Sequence, residues 1–195
     1  MIDPMATVAV FPSVLGVRPG VEDAARRLRE AGHDVRVVDP LDGRTFDEYE
    51  PAMEHSEAMG MSELMRRTDQ GVADLPDGFC CLGFSNGGGM AVHATLTRPV
   101  SAVVLCAGSI SVRWFGKEPW PAQTALQQHD SAFDPFRDEG VEELAADVRA
   151  VGAELESFEY PGTGHLLTDP SLPDEHDPEA TELLWTRALG FLSDR

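Results

Sequence analysis

The feature that most constrains the fold is a regular alternation of short apolar runs with amphipathic segments. The apolar runs are rich in β-branched residues and end at proline, glycine or polar residues. The predicted strands cover residues 7–11, 35–38, 79–82, 102–106, 122–126 (running on to 128) and 154–160. The predicted helices cover residues 21–31, 46–59, 62–72, 87–97, 141–151 and 177–192. This order predicts an α/β fold with a mostly parallel central sheet and helices on both faces.

The length of 195 residues predicts a single domain, which we place at residues 1–195. The segment between the fourth and fifth predicted strands is too short for an inserted cap domain. The 34 acidic residues outnumber the 15 basic ones and give a formal net charge of −19. Nucleic acids and anionic membrane surfaces both require a cationic face, so this balance excludes them as partners.

The cysteines and the termini point to a protein of the cytoplasm. No basic region followed by an apolar run precedes the first strand, and the longest apolar runs have the length of strands. The three cysteines, two of them adjacent, are expected to be free core thiols in a reducing compartment. No second pair of soft ligands lies at short spacing, so no metal site is predicted. We expect a monomer or a homodimer.

A serine framed by glycines carries the strongest chemical signal. Gly83-Phe84-Ser85-Asn86-Gly87 follows a buried strand and precedes a helix, the context of a nucleophile elbow. The turn is so tight that the residues two positions before and after the serine must lack side chains. The helix start also offers backbone N–H groups to a developing oxyanion. We predict that the Asn86 N–H and the Val14 N–H, from the loop after the first strand, form the oxyanion hole.

A nucleophilic serine requires a base, and His165 is in the right place for one. It follows Tyr160-Pro161-Gly162-Thr163-Gly164 directly after the last predicted strand, at the same sheet edge as Ser85. His129 is the alternative base. In enzymes whose serine lies on a nucleophile elbow, the acid lies between the serine and the histidine in sequence. Asp130 directly follows the fifth strand and Asp134 lies four residues later; we favour Asp130.

Aromatic residues cluster in the loop before the fifth strand. Trp114, Phe115 and Trp120 are candidates for an apolar wall around the substrate, and packing in the core is the alternative interpretation.

Two other classes of function remain open. One is a non-catalytic binding protein built on the same fold. The other is a doubly wound phosphate or nucleotide binder that uses Gly87-Gly88-Gly89, although neither Gly-x-Gly-x-x-Gly nor a Gly-Lys-Ser/Thr sequence is present.

Several short motifs in one order resemble the dienelactone hydrolase family of α/β-hydrolases over nearly the whole chain. The motifs are Phe11-Pro12-Ser13-Val14-Leu15-Gly16, Leu28-Arg29-Glu30-Ala31-Gly32-His33-Asp34-Val35, Asp39-Pro40-Leu41-Asp42-Gly43-Arg44-Thr45, the segment around Ser85, Pro121-Ala122-Gln123 leading to Asp130, and Tyr160 to His165. The resemblance implies a capless hydrolase without a cofactor. It implies Ser85 as nucleophile, Asp130 as acid and His165 as base.

Three positions depart from the family pattern. Ser85 stands where the best-known members have cysteine, and Ser13 stands where they have a glutamate that holds this thiol. Leu166-Leu167-Thr168-Asp169 follows the histidine, where they place an arginine that binds the substrate carboxylate. These departures favour a general hydrolase of a small-molecule ester, lactone or thioester over one specific for dienelactone.

Overall fold

The computed structural model describes residues 6–116, 119–193 and 195. Strands and helices alternate through most of the chain, as the sequence predicts. The strands are β1 (Thr7–Phe11), β2 (Asp34–Val37), β3 (Phe79–Phe84), β4 (Val100–Cys106), β5 (Ala125–Ser131) and β6 (Leu155–Tyr160). The α-helices are α1 (Pro19–Glu30), α2 (Tyr49–Met59), α3 (Met61–Val72), α4 (Asn86–Thr97), α5 (Gly140–Ala150) and α6 (Pro178–Ser193).

All strand pairings of the six-stranded sheet are parallel, in the order β2-β1-β3-β4-β5-β6. This confirms the predicted parallel sheet. Because the strands are parallel, their carboxyl ends share one edge, and the loops after β1, β3, β5 and β6 meet there. The strand order changes direction between β1 and β3, and the loops after these two strands flank that point.

Helices cover both faces of the sheet, as a buried parallel sheet requires. Helices α1 and α6 pack on one face, while α3, α4 and α5 pack on the other. Alternation along β3 places Cys80 on the first face and Cys81 on the second. Both thiols and Cys106 are buried and free, as predicted.

Strand β5 lies further along the chain than predicted. It spans Ala125–Ser131, and all seven of its residues are buried. The second half of this strand is polar, a pattern that predicts the end of a strand and the start of a loop. Here the polar groups find partners inside the protein: Gln127 Nε2 donates to Glu156 at 2.6 Å and Gln128 Nε2 donates to Ser109 at 2.9 Å. Satisfied hydrogen bonds let polar side chains continue a buried strand.

The connection between β4 and β5 contains one 3-10 turn, Val112–Phe115, in its described part. No cap domain is present among the described residues of this connection. None of the helices in the described ranges combines the length and apolar character that a membrane-spanning segment needs.

Candidate active site

Ser85 lies at the sharp turn between β3 and α4 and has the backbone conformation φ 51°, ψ −118°. A positive φ is unusual for a residue with a side chain, and such strain is typical of a nucleophile elbow. The flanking glycines make the turn possible. A Cβ at Gly83 would overlap the backbone of Gly87, and a Cβ at Gly87 would overlap the carbonyl of Phe11. The strand-turn-helix context predicted for Ser85 is therefore present.

Ser85, His165 and Asp134 form a continuous chain of contacts. Ser85 Oγ lies 2.7 Å from His165 Nε2. His165 Nδ1 lies 2.6 Å from Asp134 Oδ2. The other carboxylate oxygen of Asp134 accepts the Phe136 N–H at 2.8 Å. His165 and Asp134 are both buried, which shields their interaction from water.

The preference for Asp130 over Asp134 as the partner of His165 is wrong. Asp130 is the sixth residue of β5 and accepts the Gly108 N–H at 2.9 Å. The error follows from the later end of β5. Asp130 lies inside the strand, whereas Asp134 lies in the loop that reaches the loop after β6. Burial raises the pKa of Asp130 to about 6, although the Gly108 N–H opposes this shift.

His129, the alternative base, points into the protein interior. Its Nδ1 lies 2.8 Å from the Tyr160 hydroxyl and its Nε2 lies 2.8 Å from Gln127 Oε1. Burial lowers its pKa to about 3, so this imidazole is neutral in the fold. Its contacts describe a satisfied core histidine.

A cavity of about 600 Å³ opens at Ser85 and His165. Val14 and Asn86 are both among the residues that line it. Asn86 is the first residue of α4, so its N–H has no acceptor within the helix. The oxyanion assignment itself stays a prediction. In the described ranges, no group of three or more His, Cys, Asp or Glu side chains is arranged to hold a metal ion.

Two of the three predicted wall residues line this cavity, Trp114 and Phe115. Trp114 is 75% exposed and projects from the 3-10 turn. Trp120 does not reach the cavity. It is buried in the core and its Nε1–H donates to the Thr124 carbonyl at 2.9 Å. For Trp120, the core interpretation is the correct one.

Three residues that the sequence did not single out also surround His165. The rings of Tyr49 and Phe136 contact the imidazole, with centroid distances of 5.8 and 4.8 Å. Glu175 accepts the N–H of Leu166, the next residue in the chain, at 2.7 Å. No motif marks these residues, because Tyr49 and Glu175 are brought to the histidine only by the tertiary fold.

Solved structures of low sequence identity share this architecture. A dienelactone hydrolase-like promiscuous phosphotriesterase from metagenomic libraries matches with a TM-score of 0.82 and 21% identity, over 100% of this chain and 88% of that one. A dienelactone hydrolase from Anabaena variabilis has a TM-score of 0.70 and 19% identity, over 98% and 87%. A thermophilic esterase from Thermogutta terrifontis, with propionate bound, has a TM-score of 0.65 and 14% identity, over 98% and 84%. The fold is therefore that of the α/β-hydrolases.

No curated protein matches the chain. The family model of the dienelactone hydrolase family matches residues 2–195, which agrees with the order of motifs in the sequence. On that match, the chain belongs to the dienelactone hydrolase family.

Proposed function

We propose that the protein hydrolyses small carboxylic esters, lactones or thioesters through an acyl-enzyme on Ser85. The observation that carries this proposal is the chain of contacts from Ser85 Oγ through the His165 ring to Asp134 Oδ2, at 2.7 and 2.6 Å. Membership of a hydrolase family supports the reaction class. The order Ser85, Asp134, His165 also matches the order of the triad in this fold.

The proposed reaction has two halves. In the first, the Ser85 hydroxyl proton moves to His165 Nε2 while Oγ attacks the carbonyl carbon, and the Val14 and Asn86 N–H groups stabilise the oxyanion. His165 then gives the proton to the leaving oxygen or sulfur as its bond to the carbonyl carbon breaks. In the second half, water replaces the leaving group and the acyl–Ser85 bond is hydrolysed. Asp134 orients the imidazole and stabilises its protonated form throughout.

The cavity walls support neutral or cationic substrates over anionic ones. Apolar and aromatic side chains from several segments line it, including Met53, Ile110 and Phe136. Four carboxylates also line it: Glu57, Asp138, Glu139 and Glu143. No arginine or lysine is among the described residues that line it. A substrate carboxylate would therefore meet like charges from this part of the lining, and the overall charge of −19 adds to the repulsion.

The contact between Ser85 and His165 favours a hydrolase over a phosphate binder. A phosphate site at Gly87-Gly88-Gly89 would use backbone N–H groups at the start of α4 and gives His165 no role. Here His165 is directed at the serine, and its Nδ1 has a buried carboxylate partner. A non-catalytic binding protein is separated from a hydrolase by covalent labelling, since only an activated serine reacts readily with a fluorophosphonate.

The test measures turnover of p-nitrophenyl acetate and fluorophosphonate labelling by wild type and by Ser85→Ala. We expect Ser85→Ala to lose labelling, and kcat to fall on the order of 10⁴-fold or more, as for the loss of other serine nucleophiles. Ser193→Ala is the matched control, because Ser193 is the exposed last residue of α6 and its hydroxyl donates to the Gly190 carbonyl at 2.8 Å. Equal turnover by wild type and Ser85→Ala would refute the proposal.

A further inference from the structure

A hydrogen-bonded chain links the start of α2 to the loop that carries His165. The Tyr49 hydroxyl lies 3.0 Å from both carboxylate oxygens of Glu175 and donates to this group. Glu175 Oε2 also accepts the Leu166 N–H at 2.7 Å. The carboxylate therefore joins the first residue of α2 to the peptide that follows the histidine.

The backbone segments that contain Gly164 and Glu175 also pack closely against each other. A Cβ at Gly164 would overlap the Glu175 carbonyl, so only glycine allows the two segments to approach this far. Gly164 also presents its carbonyl to the Ser131 hydroxyl at 2.6 Å. The residue before His165 and the residue after it are thus both fixed, one through Ser131 and the other through Glu175.

Tyr49 contacts the His165 imidazole as well as Glu175. Its ring meets the His165 imidazole edge-on, with an interplanar angle of 70°, and contacts the Phe136 ring with centroids 4.9 Å apart. Burial and the Glu175 charge raise the pKa of the Tyr49 hydroxyl well above its usual range, so it remains a donor.

We propose that Tyr49 and Glu175 are positioning residues that hold His165 between Ser85 and Asp134. The inference rests on the proposed function. Rotation of the imidazole by a small angle would lengthen its contact with Ser85 Oγ, with Asp134 Oδ2 or with both. The pair restricts that rotation from the side of α2, and α2 also supplies Met53, Ser56 and Glu57 to the cavity wall. The position of α2 over the substrate is therefore coupled to the alignment of the base.

The test compares kcat and KM for p-nitrophenyl acetate in wild type, Tyr49→Phe, Glu175→Ala, Glu175→Gln and the double variant Tyr49→Phe/Glu175→Ala. Tyr49→Phe removes the hydroxyl and keeps the ring. We expect kcat to fall about tenfold and KM to change less than about twofold, because a misaligned base affects the chemical step more than binding. Glu175→Gln keeps an acceptor for Leu166 and should recover most of the kcat that Glu175→Ala loses.

The double variant tests whether Tyr49 and Glu175 affect kcat through the same contact. If Tyr49 acts through Glu175, the double variant should lose no more kcat than Glu175→Ala alone. Tyr160→Phe is the matched control, since it removes another buried tyrosine hydroxyl, one that contacts His129. It should keep the wild-type kcat.

Two outcomes would overturn the inference: a Tyr49→Phe enzyme with wild-type kcat, or losses that multiply in the double variant. Both leave the proposed function intact, because wild type is then still active and labelled by the fluorophosphonate. A wild type that neither turns over the ester nor is labelled would instead refute the proposed function. If Glu175→Ala does not fold, Tyr49→Phe and Glu175→Gln still decide between the outcomes.

Discussion

Asp130 and Asp134 are two buried carboxylates near the end of one strand, and their surroundings give them different partners. Asp130 belongs to β5, accepts one backbone N–H, from Gly108, and has a pKa raised to about 6 by burial. Asp134 lies in the loop after β5 and contacts both the His165 ring and the Phe136 N–H. Burial alone therefore does not identify the carboxylate that pairs with His165. What distinguishes Asp134 is a loop position that reaches the histidine.

Asp134→Asn tests the comparison most strongly. The amide keeps the size of the carboxylate but removes the charge that stabilises the imidazolium and fixes its tautomer. We expect kcat to fall on the order of 10³- to 10⁴-fold, as for the same change in other triads. The melting temperature should change by only a few degrees, about the shift that 1 kcal/mol produces. Steady-state kinetics with p-nitrophenyl acetate measure the first effect and calorimetry the second.

Asp130→Asn should produce the opposite pattern, with kcat close to wild type and a more stable fold at neutral pH. The amide oxygen can still accept the Gly108 N–H, and the cost of a buried charge disappears. A pKa raised from 3.8 to about 6 corresponds to a stabilisation on the order of 1–3 kcal/mol by this substitution above pH 7. If Asp130→Asn abolishes activity while Asp134→Asn does not, the two assignments are reversed.

The pH dependence of the free energy of unfolding tests whether burial of Asp130 destabilises the fold at neutral pH. The folded protein binds the Asp130 proton more tightly than the unfolded chain does. This contribution to wild-type stability is fully present below about pH 4 and is lost as the pH rises through about 6. Denaturant unfolding of wild type and Asp130→Asn should therefore give similar free energies near pH 4 and should diverge towards pH 8. A difference that does not depend on pH would contradict the raised pKa.

Glu143→Gln extends the comparison to a carboxylate that lines the cavity but is not part of the proposed triad. We expect it to change charge selectivity and leave the chemical step unaffected. Its ratio of kcat/KM for a choline ester to that for a matched hemisuccinate ester should fall about two- to fivefold, since partly exposed charges interact weakly. Glu156→Gln, outside the cavity, is the control. An unchanged ratio would remove Glu143 from substrate selection.

Most of the fold was predictable because its signals are local. The strands β1 and β3 are apolar and β-branched or bounded by glycine, and the turn at Ser85 needs glycines that the sequence displays. His165 was predictable for the same reason, since glycine and proline place it in a loop directly after β6. These features depend on short segments and on the rule that parallel strands share a carboxyl edge.

The choice between Asp130 and Asp134 was not local. It depended on the residue at which β5 ends. His129 and Asp130 lie in the polar half of β5, and these polar side chains can be buried because other elements supply their hydrogen-bond partners. Tyr49 and Glu175 are further examples, because 126 residues separate them in sequence. Trp120 failed as a wall residue because its indole N–H finds an acceptor in Thr124, which suits a core position. Such pairings are set by tertiary packing, which periodicity does not report.

The open edges of the sheet have a consequence for behaviour at high protein concentration. Among the described residues, β2 and β6 are the outer strands of the sheet, and the free side of an outer strand can accept a strand from another molecule. Exposed charges occupy both edges, among them Arg36 on β2 and Glu156 and Glu159 on β6. The Arg187 guanidinium covers the Phe158 ring of β6 at 4.1 Å. An added strand would have to bury these charges, both basic and acidic, so they oppose the pairing of two molecules through their sheet edges.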